Sequence, residues 1–243
     1  MTRAQAIAEG LAQVRERIAA AERAAGRAPG SVRLLAVSKK MTADDVRAAL
    51  AAGQRAFGEN YAQELRDKRA ALAQDRTLPT EADVPRPPEW HYIGPLQSNK
   101  IKYVAGQVAL VHTVDSIALL EAIAARGAPQ ACLVQVNVAG EAQKRGVAPA
   151  DLPALLDRFA ALPNVTCPGL MLIPPLTEDP DDARPHFAAL RALRDREAAH
   201  ERPNVDLREL SMGMSSDLEA AIAEGATLVR VGTAIFGSRP GVR

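Results

Sequence analysis

Two cysteines in 243 residues cannot build a disulfide scaffold. Cys132 and Cys167 each lie in an apolar run and read as buried, reduced thiols. Aromatic side chains are also scarce, at 3% of the chain, which argues against a surface that stacks nucleobases. Neither sign of charge dominates: 30 Lys and Arg face 29 Asp and Glu, a net of +1. Without a basic field to hold a phosphate backbone, no nucleic-acid partner is expected. No apolar run approaches the ~20 residues of a membrane span. The opening stretch, MTRAQAIAEGLAQVRERI, carries charge where a signal peptide has an apolar core. The expectation is a cytoplasmic protein with no membrane partner. The sequence has no Walker A run, no GxSxG elbow, and no GxGxxG after its first strand. Its four histidines, His91, His112, His186 and His200, show no metal-ligand spacing, so no metal is expected.

What is present is a globular balance, 47% apolar and 24% charged, and a regular alternation of strand-like and helical segments. Ile7, Leu11, Val14 and Ile18 recur at helical spacing in the first segment. The run 32–39 reads as a strand. A helix follows from Thr42, capped with Asp45, to a left-handed stop at Gly53. Further strand-like runs lie at 55–59, 90–93, 108–114, 131–138, 165–173, 207–212 and 228–236. Helical stretches fall near 60–74, 98–105, 116–126, 150–162, 180–200 and 215–224. Eight strands separated by helices mean parallel strands with right-handed crossovers. An open doubly wound sheet and a closed barrel both satisfy that pattern. The count of eight and a length near ~250 residues favour a single TIM-type (β/α)8 barrel over 1–243. After the last strand the chain is too short for a full eighth helix, so the extra N-terminal helix is expected to cover that gap. Residues 74–89, with four prolines and no periodicity, read as a surface loop on the bottom face.

Barrels of this type place chemistry at the C-terminal tips of their strands. The first tip carries Lys39 and Lys40. A lysine there forms a Schiff base if its pKa is lowered, and is otherwise a solvated loop residue. Alternation of strand residues allows only one of the two to point inward. Arg230 interrupts the apolar last strand, and a buried guanidinium needs an acceptor, either a structural carboxylate or a ligand. Gly232 and Thr233 follow at the tip, where barrels often hold phosphate. Ser211 stands at the seventh tip; Ser216 with Glu219 reads as a helix capping box. Asn60 and His91 bring polar groups to the second and third tips, although a lone histidine such as His91 is more often a satisfied structural residue. An amine, an arginine and an anion cradle suit an aldehyde-bearing phosphate such as pyridoxal phosphate.

Longer motifs add to this. LLAVSK (34–39), FGENY (57–61), WHYIGPLQSNK (90–100), GLM (169–171), LSMGMS (210–215) and VRVGTAIFG (229–237) resemble, in order, the pyridoxal phosphate homeostasis proteins. The resemblance runs from about residue 30 to 238. It implies a barrel like the N-terminal domain of alanine racemase, a type III pyridoxal phosphate fold. It implies that Lys39, rather than Lys40, holds pyridoxal 5'-phosphate covalently as a Schiff base. By the same resemblance Arg230 faces the pyridine nitrogen and leaves it unprotonated, weakening the cofactor as an electron sink. Ser211, Met212, Gly232 and Thr233 hold the phosphate, and Asn60 lines the cofactor edge. The family implies buffering of the cofactor within vitamin B6 homeostasis, with apo-enzymes as possible recipients, and no settled catalytic activity or catalytic residue.

The alternative is an amino-acid racemase or related cofactor-dependent enzyme. The sequence shows no counterpart of the racemase β-domain, which supplies a tyrosine and closes the site, and this favours the carrier. One departure from the family lies in the loop 140–146, GEAQKRG, where a serine–lysine–serine–glycine run is usual. Lys144 remains in register to meet incoming phosphate, while both serines are replaced. The proline-rich stretch is the second departure, longer than expected and assigned no function.

Overall fold

The computed structural model describes residues 1–73, 88–141, 143–175 and 179–237, and eight parallel strands within them close into a barrel in sequence order. The strands are β1 (Arg33–Val37), β2 (Ala56–Glu59), β3 (Glu89–Tyr92), β4 (Leu110–Val114), β5 (Gln130–Gln135), β6 (Val165–Met171), β7 (Val205–Ser211) and β8 (Leu228–Val231). β1 pairs with both β2 and β8, which closes the ring. Helices α1 (Arg3–Ala24), α2 (Ala43–Ala51), α3 (Ala62–Ala73), α4 (Ile117–Ala124), α5 (Leu152–Ala160), α6 (Arg184–Ala198), α7 (Leu218–Ala223) and α8 (Thr233–Phe236) surround it. The closed barrel replaces the open-sheet alternative.

Strand alternation sorts the side chains into two shells. Ala36, Phe57, Trp90, Val111, Val229 and Val231 belong to the large apolar cluster shared with the helices. Leu110, Leu133, Met171 and Leu228 form a separate small cluster inside the ring. The interior is therefore a packed core, and polar side chains within it must be hydrogen-bonded.

The extra N-terminal helix packs against α8, α2 and α7, on the side of the barrel where it was expected. Ile7, Leu11, Val14 and Ile18 are buried along one face of α1, each worth roughly 1.5–3 kcal/mol of burial. Thr2 and Gln5 cap its start reciprocally. Arg3 donates to Phe236 O and pairs with Asp45; Arg17 pairs with Glu219. These bonds seat α1 between α2 and α7, over α8. Gly10 permits the contact, since a Cβ there would lie 2.8 Å from the carbonyl oxygens of Ala234 and Ile235. At the other end, Glu22 accepts hydrogen bonds from Gly30 N, Val32 N and Ser31 Oγ, which fixes the turn into β1.

Three expectations are corrected. The last strand ends at Val231, and 233–236 is a short helix, because a continuous apolar run does not distinguish a buried strand from a buried helix. Within 98–105 the chain forms a 3-10 helix at Ser98–Tyr103. The cap of α7 is Asp217, not Ser216; its Oδ1 accepts from Met214 N at 2.5 Å. The cap of α2 stands as expected, Thr42 and Asp45 bonding reciprocally, with Gly53 at φ +80° beyond the helix. The surface-loop reading of 74–89 falls outside the described residues apart from Pro88 and Glu89, as does the chain after Gly237.

Candidate functional site

Four neighbouring strands, β7, β8, β1 and β2, carry the expected residues to the same rim of the barrel. Lys39 follows Ser38 just beyond β1 and is half-buried, whereas Lys40 is exposed. Both lysines lie past the last strand residue, so strand alternation does not separate them. A break in the backbone does: Lys40 adopts φ +62°, a left-handed conformation.

The turn bearing Lys39 is held from behind. The Ser38 hydroxyl donates to Glu59 Oε1 at 2.6 Å. Lys68 Nζ, on α3, donates to Ser38 O at 2.6 Å, Glu59 Oε1 at 2.7 Å and Glu64 Oε1 at 2.8 Å. Glu64 Oε1 also accepts the Lys40 N–H at 2.6 Å. Ser38 and Glu59 are fully buried. Burial pushes the Glu59 carboxyl above its ordinary value, against the pull of Lys68 and Ser38. The second Glu59 oxygen is buried without a partner.

Asn60 follows β2. Gly94 lies flat on its backbone, where a Cβ would come 2.1 Å from Asn60 O, and this close approach fixes the second tip against the third. The Asn60 side-chain oxygen is buried with no hydrogen-bond partner, an orphaned acceptor at the rim.

Arg230 is buried within β8. It donates from Nη1 to Ser211 Oγ at 2.8 Å and from Nη2 to Leu172 O at 2.9 Å. Among the described residues, no carboxylate forms an ion pair with it. Burial lowers its pKa to about 10, and Asp217 opposes that shift, so the group remains a cation at neutral pH. A guanidinium has five N–H donors. Two neutral acceptors leave it short of both charge and hydrogen bonds. Of the two readings of Arg230, the structural carboxylate pair is therefore absent among the described residues.

Gly232 and Thr233 follow directly, Thr233 opening α8. A Cβ on Gly232 would lie 3.2 Å from Val37 O, so the β8 and β1 tips approach closely here. The first N–H groups of a helix have no intrahelical partner. On β7, the Ser211 hydroxyl is turned inward to Arg230 and His112, and the Met212 N–H donates to Leu228 O at 3.1 Å. Both groups expected at a phosphate are thus engaged within the barrel wall. Lys144 pairs with Glu141 at 2.8 Å in the loop after β5. His91 points into the interior rather than to the rim, bonded to His112 and Glu89.

The structure adds Ser38, Glu59, Lys68 and His112 to the candidates. Glu64 and Lys68 stand at helical i,i+4 spacing, a signal available in the sequence. The pairing of Lys68 with Glu59 and the Ser38 carbonyl depends on tertiary packing. An open depression of about 880 Å3 lies elsewhere, between the end of α6 and the start of β7. It is lined by Arg194, Glu197, His200 and Arg202 among others. Its Arg202–Glu197 pair is internally satisfied, and none of the rim residues reaches it.

Residues 10–240 match the alanine racemase N-terminal domain family. The pyridoxal phosphate homeostasis protein of Pseudomonas aeruginosa is 48% identical over 238 residues, covering 96% of each chain. The structure of PipY from Synechococcus elongatus, solved with PLP bound, superimposes with a TM-score of 0.78 at 40% identity, over 95% of this chain and 100% of that one. Alanine racemase from Corynebacterium glutamicum superimposes with a TM-score of 0.64 at 18% identity, over 98% of this chain and 63% of that one, a likeness of fold.

Proposed function

The chain belongs to the pyridoxal phosphate homeostasis proteins, built on the alanine racemase N-terminal domain, and on that premise we propose that it binds pyridoxal 5'-phosphate covalently through Lys39. It acts in intracellular vitamin B6 homeostasis as a buffer or carrier. Apo-enzymes that use the cofactor are its recipients, and the cytoplasm is its compartment. Residues 1–243 serve as one cofactor-binding domain.

One observation carries the reading: Arg230, a buried cation bonded among the described residues to neutral acceptors only, lies on the strand beside the one that delivers Lys39. Its remaining N–H groups suit an uncharged ring nitrogen, and its charge suits an anionic ligand. The orphaned Asn60 carboxamide oxygen and the close-set tip at Gly232 fit the same ligand.

The bound cofactor would supply an aldehyde that condenses with an amine and a phosphate that anchors the other end. The chain's own residues supply the rest. Lys39 offers the amine from a turn held by Ser38, Glu59 and Lys68. Arg230 would donate to the ring nitrogen. Gly232 and Thr233 offer N–H groups and a hydroxyl to the phosphate, with Ser211 and Met212 forming the adjoining wall. Asn60 bounds the ring edge. An arginine opposite the ring nitrogen does not donate a full proton to it, which agrees with holding the cofactor rather than exploiting it as an electron sink.

The test is the visible spectrum of the purified protein after incubation with pyridoxal phosphate, then borohydride reduction and mapping of the modified lysine. A yellow protein labelled at Lys39 is expected. A colourless, unlabelled protein would overturn the reading.

A further inference from the structure

Arg230 is joined to the opposite face of the barrel by a continuous file of side chains. Arg230 Nη1 lies 2.8 Å from Ser211 Oγ, and Ser211 Oγ lies 2.9 Å from His112 Nδ1. His112 Nε2 lies 2.8 Å from His91 Nδ1, and His91 Nε2 lies 2.8 Å from Glu89 Oε1. Ser211, His112 and His91 are all fully buried. Glu89 opens β3 at the bottom of the barrel, and its side chain is 39% exposed. The file thus runs from the floor of the proposed cofactor site to solvent at the other end.

With both rings neutral, only one order of donation satisfies every member. Arg230 can only donate, so Ser211 Oγ accepts from it. The Ser211 hydroxyl then donates to His112 Nδ1, His112 Nε2–H to His91 Nδ1, and His91 Nε2–H to the Glu89 carboxylate. The reverse order needs one more proton, with His91 protonated on both nitrogens and His112 donating from Nδ1 to Ser211 Oγ. The Ser211 hydroxyl hydrogen is then free to turn toward the rim.

We propose that Ser211, His112, His91 and Glu89 form a proton relay that couples the floor of the cofactor site to solvent on the far side of the barrel. His91 and His112 act in it as positioning residues for Arg230 and Ser211. The proposal rests on the reading of Arg230 as the residue facing the cofactor. The proton count balances. A proton taken up at Ser211 Oγ displaces the hydroxyl proton to His112 Nδ1. The His112 Nε2 proton moves to His91 Nδ1, and the His91 Nε2 proton passes to Glu89 and on to water.

The surrounding charges fit this direction of transfer. Burial, and then His91, Arg230 and Arg33, hold His112 well below its ordinary pKa, so it transmits a proton rather than keeping one. The His91 contact holds the Glu89 carboxyl below its usual value. Arg33 from β1 reaches Glu89 at 3.4 Å and Glu209 of β7 at 3.8 Å. β2 offers only Gly58 opposite His91 in the register. Glu89 is thus the only carboxylate bonded to either ring among the described residues.

The experiment uses the full chain with 15N-labelled histidine. In the ligand-free protein under mildly alkaline conditions, both His91 and His112 should carry their proton on Nε2. On acidification the His112 proton should switch from Nε2 to Nδ1. Glu89→Gln, on the half-exposed floor, should move that switch to lower pH, through loss of the carboxylate that ends the file. In the loaded protein, Glu89→Gln and His91→Gln should displace the pH profile of the cofactor absorbance while borohydride still labels Lys39. A His112 proton fixed on Nδ1 at every pH, or pH profiles identical in wild type and both variants, would overturn the relay. Failure of the wild-type chain to bind the cofactor would overturn the reading of the site instead, while the ligand-free tautomers still decide the relay.

Discussion

The Lys68 ammonium lies 2.6 Å from the carbonyl oxygen of Ser38, so α3 grips the residue immediately before Lys39. The same ammonium neutralises Glu59, which has no exposed surface. Replacing it with an apolar group of similar size leaves a buried carboxylate without its counter-ion. Lys68→Met should therefore lose about 3–5 kcal/mol in chemical denaturation. Burial already raises the Glu59 pKa, and loss of Lys68 raises it further. The folded variant then binds more protons than the unfolded chain, so its stability should fall as pH rises from the ordinary carboxylate range toward the raised value. Lys68→Met combined with Glu59→Gln should recover much of the loss and flatten that dependence. A single variant as stable as wild type at neutral pH would show that the cluster does not hold the turn.

Lys39 and Lys40 are adjacent but not equivalent. Lys40 is exposed in a left-handed conformation, and its N–H is bound by Glu64. Lys39→Ala should abolish the visible absorbance of the loaded protein and its borohydride label. Lys40→Ala should keep both. The reverse pattern would reassign the anchor.

The barrel was legible because each strand is a short apolar run bounded by turn residues, and eight of them alternate with helical periods. The tip residues Lys39, Asn60, Arg230 and Gly232 were legible for a related reason: a parallel barrel leaves few places for polar groups at strand ends. What pattern alone did not show was the inner file of His91, His112 and Ser211. Those residues lie far apart in the chain and meet only when β3, β4 and β7 curve round the same axis. Nor did pattern reveal the end of β8, because Thr233-Ala234-Ile235-Phe236 is as apolar as the strand before it. The short helix there lies against α1 at Gly10.

Arg230 joins two demands at one position. It satisfies Leu172 O and Ser211 Oγ, and no carboxylate among the described residues forms an ion pair with it. Arg230→Ala should weaken cofactor binding by about tenfold or more, as expected for loss of a charged hydrogen bond. It should also shift the absorbance of the bound cofactor and destabilise the fold by about 1–3 kcal/mol, because a buried carbonyl loses its donor. Titration of the variant with pyridoxal phosphate checks all but the last, which denaturation supplies. Unchanged affinity and spectrum would make Arg230 a structural side chain.

Gly232 adopts φ −118°, so a side chain there meets no backbone penalty, only space. A Cβ would sit 3.2 Å from Val37 O and 3.4 Å from Val37 Cβ. Gly232→Ala should fold with small adjustments at the β1 tip. The two further methyls of Gly232→Val should press on that tip and block the approach of a phosphate, lowering cofactor occupancy more than stability. Full occupancy in the valine variant would remove the cradle from this position.

His112 sets an acid limit on the fold. Burial and three neighbouring cationic or protonatable groups hold it neutral, with its folded pKa well below the ordinary 6.5. Below about 6.5 the unfolded chain takes up a proton at this residue that the folded chain refuses. The unfolded state then binds more protons, so stability falls with falling pH, by up to about 1.4 kcal/mol per pH unit from this residue alone. The term is absent above 6.5 and grows until the folded pKa is reached. His112→Gln keeps a polar side chain beside Ser211 and His91 but does not titrate. Its denaturation midpoint should change less between neutral and mildly acid buffers than that of wild type. Equal pH slopes in the two proteins would show that the acid sensitivity of the fold arises elsewhere.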